Sequence, residues 1–526
     1  MHQAETLVLL LALMTALVVV SRKLEIPYPV LLVLGGLAIS FIPGLPALRL
    51  QPEFVFYFCL PPLIFPAALF TSWRDFRRSL RPILLLAIGL VLFTTAAVAA
   101  VAHAIVPGIP WAAAFALGAI VSPPDAIAAT AVIRRLSVPR RIESVIQGES
   151  LVNDATALVA LRFAVAAVAT GSFSLGYAAG QFVLIALGGI AVGFVVAYVV
   201  RSALSRLDDP PVQIAISLLT PFIAYLGAER LQLSGVLATV TAGIYLGWYG
   251  PLIVKARYRL QAQAFWEMVV FLINGLIFMT IGLQLPEILR QLGTESWSHL
   301  VAIGAAVSAT VILVRIAWVF PAAWLPRLFS PKLRRRDPLP PWQQLALLAW
   351  SGMRGVISLA AAFALPFTLN NGLPFPARGY ILYLTFCVIL ATLVLQGLTL
   401  PLLIRKLGVV DDGLNDEEER NARFQANRAA LDLIERLASD CEVPRDVAQR
   451  LEVEYRDRLA ELQRCASAAD GSGEIVTPHY QRLQYEALKV ERQTIIRLRN
   501  EQVINDEALR RIQRDLDLAE ARLTGD

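Results

Sequence analysis

Apolar runs of about 20 residues, the length an α-helix needs to cross a bilayer, recur along the chain with short polar links between them. Thirteen such helices are predicted, over residues 5–20, 28–44, 53–70, 82–106, 111–133, 144–169, 175–200, 211–229, 233–249, 265–285, 299–325, 343–367 and 379–404. The links carry their basic residues unevenly. Those after the odd-numbered helices hold 22 Lys and Arg, among them Arg74, Arg81, Arg134, Arg135 and Arg141. Those after the even-numbered helices hold four: Arg49, Arg230, Arg290 and Arg378. By the positive-inside rule the N-terminus lies outside and the C-terminal tail in the cytoplasm. A miscounted span would scramble this alternation, so charge supports the count independently of hydropathy.

After residue 407 the pattern changes. The segment 408–526 is rich in both charges, with Leu431, Ile434 and Leu437 at helical spacing. Helical stretches are expected near 444–466, 477–499 and 503–523, with a Gly/Ser/Asp loop at 470–473. The chain thus divides into a membrane domain, 1–407, and a helical tail, 408–526, that regulates, oligomerises or simply stabilises.

Composition narrows the class. At 17% charged residues and a mean hydropathy of +0.60, the 526-residue chain is an all-α polytopic membrane protein, since soluble domains are about 25% charged. The pI near 9.2 does not indicate nucleic acid. Residues 1–407 hold 29 Lys+Arg against 15 Asp+Glu and the remainder 18 against 26, a balance of +14 and −8 with no clustered basic face interleaved with aromatics. Cys59, Cys387, Cys441 and Cys465 lie in unlike surroundings and are expected to be free thiols. Arg22 and Lys23 follow the first apolar run instead of preceding it, so that run reads as a retained span and not a cleaved signal.

Three stretches carry polar chemistry at membrane depth. In GESLVNDATALVALRF (148–163), Ser150 and Asp154 stack on one face, with Glu149 and Asn153 on the adjoining stripe. A carboxylate in hydrocarbon is costly, and such residues usually face a water-filled path or a partner. The bland alternative is a span end wetted by headgroups. In AIVSPPDAIAATAVI (119–133), Pro123 and Pro124 remove two backbone donors, so the helix should break just before Asp125. Freed carbonyls beside a carboxylate form an oxygen-rich nook suited to a hard cation; a plain proline kink capped by Asp125 is the simpler reading. In WSGMRGVISLAAAF (350–363), Arg354 lies between Gly352 and Gly355 and needs a carboxylate, for which Glu149 and Asp154 are the candidates. Arg162, Arg315, Glu229 and Glu267 are weaker candidates, nearer span ends or without a helix break.

Together with LPPLIFPAAL (60–69) and FLINGLIFMTIGLQLP (271–286), these motifs resemble the bacterial sodium/proton antiporters of the monovalent cation:proton antiporter-1 family. The resemblance implies about thirteen helices with inverted repeats, two broken helices crossing at the ion site, a homodimer, and a place in the bacterial inner membrane. It also implies that Asp154 alternately holds Na+ and H+, with Ser150 and backbone oxygen near Asp125, such as the Pro124 carbonyl, completing the site. Asn153 stands where electrogenic relatives carry a second aspartate, which implies electroneutral exchange. Glu149 and Arg354 match the family's structural ion pair. Two departures bear on ion preference: this chain has Pro124, Asp125 and Ala126 where some members have Thr-Asp-Pro, so the threonine is absent, and Pro66 stands where some carry a glutamate ligand. Li+ or K+ could therefore replace Na+, and a K+/H+ antiporter is the nearest alternative.

No cofactor is called for, and no G-x-x-x-x-G-K-[ST] motif is present. A channel would need a filter that the sequence does not show. A receptor would depend on its tail and carry little flux. No nucleophile and base come together as an enzyme would require.

Overall fold

The computed structural model describes residues 2–24, 26–41, 51–133, 136, 138–171, 174–292, 295–369, 372–409, 414–439, 444–469, 477–501, 509, 512–513 and 515–520. The predicted loop at 470–473, most of the helix expected over 503–523, and Arg49, Arg134, Arg135 and Cys441 lie outside the described residues. Among those described there is no β-strand. The chain divides into two compact units, Met1–Asp411 and Asp412–Asp526.

The first unit is a helical bundle. Its elements are α1 (His2–Leu24), α2 (Tyr28–Ser40), α3 (Pro52–Leu69), α4 (Leu80–Ile105), α5 (Trp111–Val121), α6 (Ala126–Ile133), α7 (Arg140–Thr170), α8 (Leu175–Leu204), α9 (Pro210–Arg230), α10 (Gly235–Ile253), α11 (Ala256–Leu283), α12 (Trp297–Phe329), α13 (Trp342–Trp350), α14 (Val356–Phe363) and α15 (Arg378–Leu407). Ten runs among the described residues are long and apolar enough to cross a membrane: α3, α4, α5 with α6, α7 to α10, α11 with its short extension, α12 and α15. The remaining expected spans correspond to α1, to the 13-residue α2 and to α13 with α14.

Two features position the site. First, α5 and α6 are separated by the 122–125 stretch, where Pro123 and Pro124 cannot donate, and α13 and α14 by 351–355. The expected 343–367 helix is therefore two short ones. Second, small residues let backbones approach. A Cβ on Gly36 of α2 would strike the Met279 carbonyl of α11, and one on Gly282 would strike the Val33 carbonyl. Bare glycine faces are a common way for helices to pack where lipid supplies no hydrophobic drive. Three π-helical turns, Val55–Cys59, Leu85–Leu90 and Thr392–Gln396, interrupt α3, α4 and α15; such turns often mark functional positions. One large core cluster includes Met14, Leu117, Phe278, Leu359 and Phe386, all buried.

In the second unit, α16 (Leu414–Ser439) packs on α17 (Arg445–Ala469), with Arg456 bonded to Glu435 at 2.9 Å. α18 (Thr477–Asn500) contributes Ile495 to a small apolar cluster with Leu509 and Leu516. Arg492 bridges Asp517 and Glu520, each at 2.5 Å. Exposed pairs of this kind contribute little, about 0–1 kcal/mol each.

Candidate ion-binding site

The two breaks meet. The Asp125 backbone N–H donates to the Met353 carbonyl at 2.7 Å, so the interrupted helices cross at their unwound segments. The Asp125 carboxylate turns back to accept from Ile127 N–H at 2.8 Å, capping the start of α6 as a side-chain acceptor does at a helix N-terminus. Gly355 packs directly against that carboxylate, and any Cβ there would run into it. From the other break, buried Arg354 donates through Nε to the Val121 carbonyl at 3.1 Å and through Nη2 to that of Ser122 at 3.4 Å. A third bond runs from its Nη1 to the Gly352 carbonyl. Its backbone N–H donates to Thr392 Oγ1 at 3.1 Å, inside the π turn of α15. One guanidinium thus satisfies carbonyls at the end of α5 that the helix leaves orphaned.

Helix α7 lies against this crossing, and its four-residue repeat separates the polar residues as the periodicity predicts. Ser150 and Asp154 line a cavity of about 380 Å³ together with Asp125 and Pro124. Asp154 is buried; among the described residues no donor or cation reaches its carboxylate. Ser150 Oγ accepts from Ala126 N–H at 3.4 Å. Asn153, one step round, is buried and donates through Nδ2 to the Pro124 carbonyl at 2.8 Å. Its Oδ1 is buried without a partner. Glu149, on the same stripe as Asn153, faces away from the cavity toward α12.

That orientation corrects one expectation. Glu149 does not pair with Arg354; it forms a buried two-pronged pair with Arg315, Oε1 to Nη1 at 2.6 Å and Oε2 to Nη2 at 2.8 Å. Arg354 is drawn to the α5 carbonyls because the break on which it sits crosses that helix end. The two guanidiniums pass each other at Gly352, where a Cβ would collide with both side chains. Arg315 also donates to the Leu348 carbonyl, from Nε at 3.3 Å and Nη2 at 3.2 Å, so its charge is neutralised and its donors are used. Arg162 and Glu229 form a separate, partly exposed pair at 2.6 Å.

The cavity also holds residues that carried little signal in sequence. Tyr28, Trp266 and Glu267 line it, as does Pro66. Glu267 brings a further carboxylate to the wall, accepting from Gln263 at 3.1 Å. Gln147, one turn before Ser150, lines the wall as well.

A helical membrane bundle in which two interrupted helices cross beside a cavity walled by carboxylates is the architecture of an ion-coupled secondary transporter. The comparisons agree. A family model described as "Sodium/hydrogen exchanger, transmembrane" matches residues 8–406, and the chain belongs to that family. An uncharacterized Na(+)/H(+) exchanger of Mycobacterium bovis is 37% identical over 98% of this chain and 96% of its own length. The sodium, potassium, lithium and rubidium/H(+) antiporter of Bacillus subtilis is 38% identical over 72% of this chain and 58% of its own. The solved structure of the sodium proton antiporter MjNhaP1 from Methanocaldococcus jannaschii at pH 8 shares the fold, with a TM-score of 0.59 at 20% identity, covering 77% of this chain and 99% of that one. The protein is therefore a multi-pass membrane transporter of a cation/proton exchange family.

Proposed function

We propose that the protein exchanges one monovalent cation, Na+ by preference, for one proton, and that both compete for the Asp154 carboxylate. The observation that carries this is the position of Asp154: buried, on the cavity wall, and free of any donor or cation from the described residues. A carboxylate stripped of water is poorly tolerated with a bare charge. It is relieved by a proton or by a cation, and the same oxygens cannot serve both fully. Ser150, the Pro124 carbonyl and Asp125 line the same wall and supply further oxygen for a hard cation. Asn153 is neutral and anchors the break to α7, so the site carries one titrating carboxylate on this helix and exchange is electroneutral. If the transporter passes between inward-open and outward-open states only when Asp154 is occupied, each passage carries one ion or one proton. The proton gradient then drives the cation, with no further chemistry required and no enzymatic step.

The asymmetry of basic links supports a cytoplasmic tail and an external N-terminus in a bacterial inner membrane. Two copies pairing as a homodimer, with membrane lipid around them, is part of the same reading. The Bacillus subtilis relative carries potassium in its name, and Pro124 in place of a threonine and Pro66 in place of a glutamate each take side-chain oxygen from the cavity relative to the family's fuller pattern. K+ is thus the second candidate. Purified protein in vesicles with an internal pH dye, given an imposed proton gradient and then Na+, Li+ or K+, tests the reading. Internal pH should change on addition of the preferred cation and not in Asp154→Asn. A change that survives Asp154→Asn, or none with any cation in folded protein, would remove it.

A further inference from the structure

Away from the ion site, charged side chains from separate elements converge on Asp337, in the link before α13. Its carboxylate accepts from Arg81 Nη2 at 3.1 Å, Arg141 Nη2 at 2.6 Å and Arg327 Nη2 at 2.9 Å. Arg327 also donates through Nε to the Asp337 carbonyl at 2.9 Å. Burial alone would push the Asp337 carboxyl up, but Arg141, Arg327 and Arg81 outweigh it and hold it below the usual range. The carboxylate therefore stays ionised at neutral pH. Three guanidiniums against one carboxylate leave an excess of two positive charges.

The excess is not evenly satisfied. Arg81 Nε and Nη1 are buried and meet no acceptor. Buried donors without partners are uncommon and costly. Beside them lies a cavity of about 60 Å³ lined by Arg81, Arg141 and Arg327 and also by Leu85, Val145 and Val319. Water could accept from the two idle donors but would leave the charge uncompensated. A phosphate group meets both needs, since its oxygens match the planar fork of arginine and carry the opposite charge. The apolar wall suits the glycerol and first methylenes of a lipid.

We propose that Arg81, Arg141 and Arg327 form a binding site for a phosphate group, either the headgroup of an anionic phospholipid or free inorganic phosphate. The site sits where four elements of the transporter are tied. Arg141 opens α7, which carries Asp154; Arg327 ends α12, which carries Arg315; Arg81 opens α4; and Asp337 leads into the broken α13–α14 pair. A bound anion would hold these ends together from outside the ion cavity.

The test reads binding, not transport, so it stands whether or not the exchange reading does. The full chain in detergent is titrated with phosphatidylglycerol, phosphatidylcholine or inorganic phosphate and followed by native mass spectrometry and thermal unfolding. Phosphatidylglycerol should be retained over phosphatidylcholine and raise the unfolding temperature. Arg81→Gln, which leaves Arg141 and Arg327 on Asp337, should weaken that retention by about tenfold or more, the worth of one charge-assisted contact. If inorganic phosphate gives the same Arg81-dependent shift and displaces the lipid, free phosphate is an occupant too. Should Arg81→Gln fail to fold, Arg141→Gln gives the same comparison from the exposed side of the cluster. Equal retention of the two lipids with no effect of phosphate, or a preference that neither variant changes, would overturn the proposal.

Discussion

The two interrupted helices break for different reasons and present opposite charges. The first is broken by what it lacks: Pro123 and Pro124 cannot donate, the helix stops, and Asp125 restarts it by accepting from Ile127 N–H. The second is broken by what it must accommodate. Gly355 is bare because the Asp125 carboxylate occupies the space of its Cβ, and Gly352 because Arg315 and Arg354 pass there. Each break then repairs the other, Asp125 N–H reaching Met353 and Arg354 reaching the last carbonyls of α5. A crossing built this way leaves irregular backbone buried in protein, where a membrane tolerates it. It also leaves Asp154, on the neighbouring helix, as a buried carboxylate that neither a donor nor a cation from the described residues reaches.

If the two breaks repair one another, the largest loss should follow from filling the space between them. Gly355→Ala pushes a methyl into the Asp125 carboxylate and should lower cation-dependent proton flux about 100-fold, the scale on which an ångström of misplacement is felt, while the protein still inserts. Flux within a few-fold of the parent would show that the contact is slack. Next come the two buried arginines, which the comparison ranks. Arg315→Leu leaves Glu149 charged and unpaired and should cost about 3–5 kcal/mol. Arg354→Leu leaves neutral carbonyls unsatisfied and should cost less, about 1–3 kcal/mol. Denaturant or thermal unfolding in detergent reads the order, and a reversed order would return Glu149 to Arg354. The smallest effect belongs to Asn153→Ala, which removes one 2.8 Å bond to the Pro124 carbonyl but also the buried, unpartnered Oδ1. About 1 kcal/mol or less is expected in the same unfolding measurement.

These differences also explain which parts of the site could be read in the sequence. Asp154 and Ser150 were legible because 3.6-residue periodicity places them on one face whatever surrounds the helix, and the structure puts both on one cavity wall. The first break was legible because a missing donor is a local property of proline. Arg315 was not, since α12 is long, apolar and continuous, and nothing local says which of its faces turns toward a glutamate 166 positions away. Arg354 misled for the complementary reason: a buried arginine asks for a carboxylate, but two carbonyls at the end of α5 and one in its own break answer as well. Glu267 stayed a weaker candidate for the same reason as Arg315, because its place on the cavity wall is decided by how α11 packs. The long apolar helices themselves needed no such knowledge, and their bounds differ from expectation mainly where α11 starts nine residues before the predicted 265, at Ala256.

The account rests on competition between a cation and a proton for one carboxylate, and sodium binding measured calorimetrically against pH tests it most directly. In purified protein, the apparent affinity for Na+ should be constant at high pH. Below the point where the Asp154 carboxyl takes its proton, it should fall about tenfold for each pH unit, with one proton released per cation bound. Asp154→Asn should show neither binding nor release. An affinity that does not change with pH, or sodium binding without proton release in the range where the carboxyl is protonated, would contradict the claim that the two ions share Asp154.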